Sequence, residues 1–180
     1  MAEGPLFSSN EDTVMQFHHI AKEYVEFIEN CRSIPRKEFV RRVHAFLAEL
    51  YRLGVLLSGF AVDGSDERAQ TSVNRDQWAN IYEKIREQLA EVNVYWGVWD
   101  PADPEDRQVI QGELSSDLAD IYQDLSNILP IDDSVKFVAS DLWTIRFQFE
   151  HHWGQHVISA LTALHSLLYG PSYLIEDGSV

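Results

Sequence analysis

The chain has 180 residues, about one domain's worth, with 45% hydrophobic and 24% charged residues, which excludes an intrinsically disordered or fibrous polypeptide. Twenty-nine acidic residues stand against 14 lysines and arginines, a formal charge of −15 that repels nucleic-acid phosphates and anionic membranes. No apolar run approaches the ~20 residues that a spanning helix needs, so neither nucleic acid nor membrane is expected as a partner.

Residues 1–9 read as a flexible leader, without the basic and apolar blocks of a secretory signal. With only one cysteine, Cys31, no internal disulfide can form, and a reducing cytoplasm is the expected location. From Asn10, the residues Val14, Phe17, Ala21, Tyr24, Val25 and Ile28 recur at helical spacing and predict a first helix ending near Cys31. Ser33 and Pro35 suit the start of a second helix, whose stripe is Phe39, Val43, Phe46, Leu47, Leu50, Leu53 and Leu57. Residues 58–72 lack periodicity and read as an exposed loop.

Asn74 followed three residues later by Gln77 predicts a capping box at the start of a third helix, with Trp78, Ile81, Tyr82, Ile85 and Leu89 as its apolar stripe. The segment Val94-Tyr95-Trp96-Gly97-Val98-Trp99 favours extended backbone but has no evident hairpin partner. It is therefore expected to lie over the bundle as an apolar segment, followed by an acidic loop to Gly112. Ser115 is the expected cap of a fourth helix carrying Leu118, Ile121, Tyr122, Leu125, Ile128 and Leu129, stopped by Pro130. Asp132, Asp133 and Ser134 offer the start of a fifth helix running unbroken to Tyr169, before Gly170-Pro171, with Gly154 as its one point of bending.

That fifth helix is apolar on two faces. Val138, Leu142, Ile145, Phe149, Ala160, Ala163 and Leu167 form one, with His156 at its centre and His152 one turn earlier; Trp143, Phe147, Leu161 and Leu168 form the other. Such a helix is central to a bundle or buried in an interface between copies. The fold class is all-α: a single-domain bundle of five helices over residues 10–170 with a long C-terminal helix, followed by a tail over 171–180.

Two segments carry a resemblance. Ser115-Ser116-Asp117-Leu118-Ala119-Asp120-Ile121-Tyr122-Gln123-Asp124-Leu125 is followed by Phe149-Glu150-His151-His152-Trp153-Gly154-Gln155-His156 and by Ala160 through Leu168. With Val94-Tyr95 and Trp99-Asp100-Pro101, these resemble a bacterial family known only as domain of unknown function 5063, over roughly residues 15–169. The resemblance implies a helical fold and a bacterial source, and it carries over no activity or site residue.

The chemistry-bearing residues gather in the same two helices. His152 and His156, at i and i+4, project two imidazoles from one face, as a metal site requires. Asp117, Asp120 and Asp124, at i, i+3 and i+7, line a face of the fourth helix roughly 130° from its leucine stripe. Bundles build metal centres from such residues on facing helices, but the Glu-x-x-His signature of di-iron bundles is missing, since Trp153 follows Glu150 at that spacing. The plainer reading makes these histidines hydrogen-bonded core residues, with the aspartates as partners turned inward. His19 and Glu23 share a polar face and read as an exposed pair. The basic cluster Arg36, Lys37, Arg41, Arg42 and Arg52 on the second helix lacks interleaved exposed aromatics, and reads as salt-bridging to acidic helices or an acidic partner. No phosphate loop, nucleophile elbow or His-Glu-x-x-His sequence occurs. The function expected is a non-catalytic binding or protein-interaction module that needs no cofactor and works through a protein partner or self-association. The alternative is a metal-dependent bundle enzyme whose divalent ion sits on the His/Asp set between the fourth and fifth helices.

Overall fold

A computed structural model describes residues 10–60, 73–98, 100, 102–105, 107–129 and 139–170. The leader, the tail, the 61–72 stretch, Trp99 and the start of the fifth helix, including Asp132, Asp133, Ser134 and Val138, lie outside the described residues. The elements run α1 (Asn10–Glu29), α2 (Arg36–Ser58), α3 (Arg75–Leu89), β1 (Val94–Val98), β2 (Val109–Glu113) and α4 (Leu114–Ile128). α5 (Ala139–Gln148), a π-helical turn (Phe149–Trp153) and α6 (Gly154–Tyr169) then continue one another as the fifth helix of the bundle. Among the described residues no helix is long and apolar enough to cross a membrane.

The helical stripes read from the sequence form the core. Phe17, Ala21, Tyr24 and Ile28 of α1 meet Phe39, Val43, Leu47, Leu50 and Leu53 of α2, all fully buried. α4 packs on α1, α3 and α6 together, so it is buried nearly all round: Leu118, Ala119, Ile121 and Leu125 are fully enclosed. The capping box of α3 forms as expected, Gln77 N–H donating to Asn74 Oδ1 at 2.9 Å and Asn74 N–H to Gln77 Oε1 at 3.0 Å. α3 ends at Ala90, whose φ of 49° places a residue with a Cβ in backbone space that glycine favours.

Three expectations are corrected here. The 94–98 segment has a partner: it pairs antiparallel with 109–113, from Val94 opposite Glu113 to Val98 opposite Val109, giving a hairpin that returns to the bundle. Its partner strand, Val109–Glu113, has only Val109 and Ile110 as strand-favouring residues before Gln111, Gly112 and Glu113, too short a signal to mark it. Ser115 does not cap α4; buried Asn93, just before β1, accepts the Leu114 N–H through its carbonyl and the Ser115 N–H through Oδ1, both at 2.9 Å. The fifth helix is not uniform, because the π turn shifts its register at Phe149–Trp153. Gly154 closes that turn, where a Cβ would stand 2.3 Å from the Phe149 carbonyl oxygen.

The shifted register also changes which residues of the fifth helix are inside. Ile145, Trp153, Ala160 and Leu164 are fully buried, whereas Leu142 and Phe149 are half-buried. Trp153 stands against Phe17 and Phe149, and Gly54 on α2 lets both rings in: a Cβ there would lie 2.5 Å from Phe149 Cδ2 and 2.9 Å from Trp153 Cη2. The second stripe divides: Leu161 and Leu168 are half-buried against the core. Trp143 and Phe147 are exposed and stack on each other and on His151 along the outer edge.

Candidate functional site

α4 and the π turn with α6 bring all five His and Asp candidates together. Asp117, Asp120 and Asp124 lie along the α4 edge that faces α6, and Asp117 and Asp124 are buried. His156 Nδ1 is 2.8 Å from Asp117 Oδ1, and His152 Nδ1 is 2.6 Å from Asp124 Oδ2. The outer nitrogen of His156, Nε2, lies 3.7 Å from Asp120 Oδ2. The two imidazoles meet edge to face with centroids 4.9 Å apart. Of the two carboxylates beside His156, the nearer contact is with Asp117.

Two aromatic donors complete the aspartates' bonding. Tyr95 of β1 donates its hydroxyl to Asp117 Oδ2 at 2.6 Å, and Trp78 of α3 donates Nε1–H to Asp120 Oδ1 at 2.8 Å. Tyr95 reaches Asp117 by lying across Gly112, its partner in the hairpin register, where a Cβ would be 2.3 Å from the ring. Only glycine permits that crossing, so Gly112 is what lets the hairpin reach the acidic edge of α4. Sequence reading placed Trp78 in a core stripe and did not single out Tyr95. The usable signal was chemical: a half-buried Trp or Tyr keeps a polar end that must find an acceptor.

The electrostatics follow from this packing. Burial pulls the His156 pKa down, but the hydrogen bond to Asp117 and the charges of Asp117, Asp120 and Asp124 outweigh it, so the ring holds its proton above the usual range. Burial raises Asp124 above an ordinary carboxylate, with His152 offsetting part of the effect. Tyr95 is raised by burial and by Asp117, which keeps its hydroxyl a donor at any physiological pH. The arrangement is a hydrogen-bonded cluster that fastens α3, β1, α4 and α6 together and favours the protonated form of His156.

Both Nδ1 atoms are engaged by carboxylates, so Asp117 and Asp124 orient the rings, and the nitrogens left for a metal are the two Nε2 atoms. Among the described residues, no three His, Cys, Asp or Glu side chains are spaced to hold a metal ion as they stand. His19 and Glu23 form an exposed contact at 3.7 Å, at the surface as expected. In the basic region, Arg36 pairs with Glu91, Arg52 with Glu49 and Arg42 lies over the Phe27 ring, 4.3 Å from its centroid. Of the tryptophans, Trp153 is in the core and Trp96 stands on the hairpin, 69% exposed.

The comparisons with known proteins agree with the fold. A family model described as "Domain of unknown function (DUF5063)" matches residues 8–170. The crystal structure of protein BF1032 from Bacteroides fragilis is similar to the chain with a TM-score of 0.75 at 24% identity, over 92% of this chain and 98% of that one. At that identity the likeness speaks to the fold. No curated protein matches the sequence significantly.

Proposed function

The chain belongs to the DUF5063 family, a domain of unknown function, and we propose that residues 10–170 act as a non-catalytic protein-interaction module of the cytoplasm, binding through the outer face of the hairpin. The observation that carries this reading is the exposure of Val94, Trp96, Val98 and Val109 at 45%, 69%, 43% and 68%. The register places all four on one side of the ribbon, with Val98 directly opposite Val109. Gln111 and Glu113 share that side, opposite Trp96 and Val94, and the four apolar side chains form a patch around an exposed tryptophan, the kind of large aromatic anchor that dominates binding energy. The hairpin is also a firm platform, since Tyr95 ties its inner face to Asp117. The single, buried cysteine suits a reducing compartment.

The test compares proteins captured by the intact chain and by a Trp96→Ala/Val109→Ala variant of equal stability. Specific partners lost by the variant support the reading, and an unchanged set overturns it.

One spacing favours a second reading, a metal-dependent enzyme. His156 Nε2 and Asp120 Oδ2 at 3.7 Å need to close only slightly to reach the roughly 3.3 Å between two donors on one tetrahedral zinc ion. Carboxylates on the Nδ1 side are the usual second layer behind metal-bound imidazoles. In this reading His152, His156 and Asp120 bind a divalent metal after His152 turns inward, and Asp117 and Asp124 steer the rings. Elemental analysis of protein purified without a His tag decides it. Stoichiometric metal that disappears in His156→Ala supports the enzyme reading, and metal-free protein of full stability counts against it.

A further inference from the structure

The hairpin face also carries information about what covers it, given the interaction reading on which this inference rests. Each strand has five residues, about 17 Å of extended chain, and the two lie about 4.8 Å apart. That footprint matches about three turns of a helix roughly 10–12 Å across. At the tip, the described residues include three acids, Asp100, Asp103 and Glu105, and one arginine, Arg107. Two of the acids are fixed in place, Asp100 accepting the Ala102 N–H and Asp103 the Glu105 N–H, both at 2.9 Å. Neither strand contains a lysine or arginine. The apolar face therefore ends in negative charge within a molecule whose formal charge is −15.

A second copy is a poor occupant of such a face, because two chains of formal charge −15 repel one another. We infer that the outer face of the hairpin receives an amphipathic helix rich in lysine and arginine from another protein. Its apolar side covers Trp96, Val94, Val98 and Val109, and its cations face Asp103 and Glu105. Helix faces are read in this way by apolar surfaces with charged rims.

Three synthetic amphipathic helices with one leucine face and a lysine, glutamine or glutamate polar face serve as probes, titrated into the full chain by calorimetry. The lysine peptide is expected to bind about tenfold tighter than the glutamine peptide at physiological salt, and to weaken as salt rises. Trp96→Ala should cost about tenfold or more in its affinity, and Asp103→Asn/Glu105→Gln should reduce it while leaving the glutamine peptide unaffected. Equal binding of the lysine and glutamine peptides would overturn the cationic partner and leave the interaction reading standing. Lysine-peptide binding untouched by Trp96→Ala would overturn the docking face itself. Sedimentation provides the last arm: self-association abolished by Trp96→Ala would make a second copy the occupant and overturn the inference.

Discussion

His156 stands between two carboxylates, its Nδ1 2.8 Å from Asp117 and its Nε2 3.7 Å from Asp120. An imidazole with an acceptor on each side is best satisfied when both nitrogens carry protons. The carboxylates belong to α4 and the imidazole to α6, so when protonated the ring is also an electrostatic tie between two core helices.

Asp117→Asn should therefore lower the pKa of His156. Burial, which opposes the charged ring, then loses its strongest counterweight, and the NMR titration of the His156 ring should move downward. A titration identical to that of the native chain would mean that Asp117 does not hold the proton.

The same bond makes stability depend on pH. The folded chain holds the His156 proton more tightly than the unfolded chain, whose histidine has a pKa of about 6.5. The contribution is thus complete below about pH 6.5 and is lost as pH rises through the higher folded value. Asp124 acts in the same direction at acid pH, because its raised folded pKa means that stability falls as pH rises from about 3.9 to that value. Urea melts across pH, compared with His156→Gln, should show the neutral-pH slope only in the native chain.

Gly54→Ala should destabilise the protein, although alanine is favoured over glycine inside a helix by about 1 kcal/mol. The new methyl would stand 2.5 Å from Phe149 in a packed core, and such overpacking costs about 1–3 kcal/mol. Because Phe149 opens the π turn, the His152–Asp124 contact should loosen as well. A rise in the urea midpoint would show that α2 and the π turn are not packed this closely.

Asn93→Ala removes a buried cap. Asn93 Oδ1 accepts the Ser115 N–H at the start of α4, and losing it should cost about 1–2 kcal/mol. Ser115→Ala leaves that acceptor in place and should cost less; the reverse order of the two losses would restore the local cap that the sequence suggested.

Ala90→Gly should stabilise the chain by about 1 kcal/mol, since glycine adopts positive φ without the steric penalty of a Cβ. Thermal melts of the two proteins measure the difference directly.

Local chemistry and periodicity determined much of this molecule without help from the fold. The stripes Phe17-Ala21-Tyr24-Ile28 and Leu47-Leu50-Leu53 mark helix faces because burial must follow the helical repeat, and Asn74 with Gln77 caps α3 because both partners are three residues apart. The pairing of His152 and His156 with the aspartates of α4 was legible too, since polar residues at a buried edge require partners. The tertiary structure alone decided the rest. The Val109–Glu113 strand exists because β1 offers it a ladder, and nothing in its own residues demands extension. The π turn depends on Phe149 and Trp153 entering the space above Gly54, a contact between residues nearly a hundred positions apart. That turn and the close approach of Tyr95 over Gly112 together settled which aspartate holds which histidine. Such choices rest on volume and on hydrogen-bond geometry between distant segments, which helical periodicity does not encode.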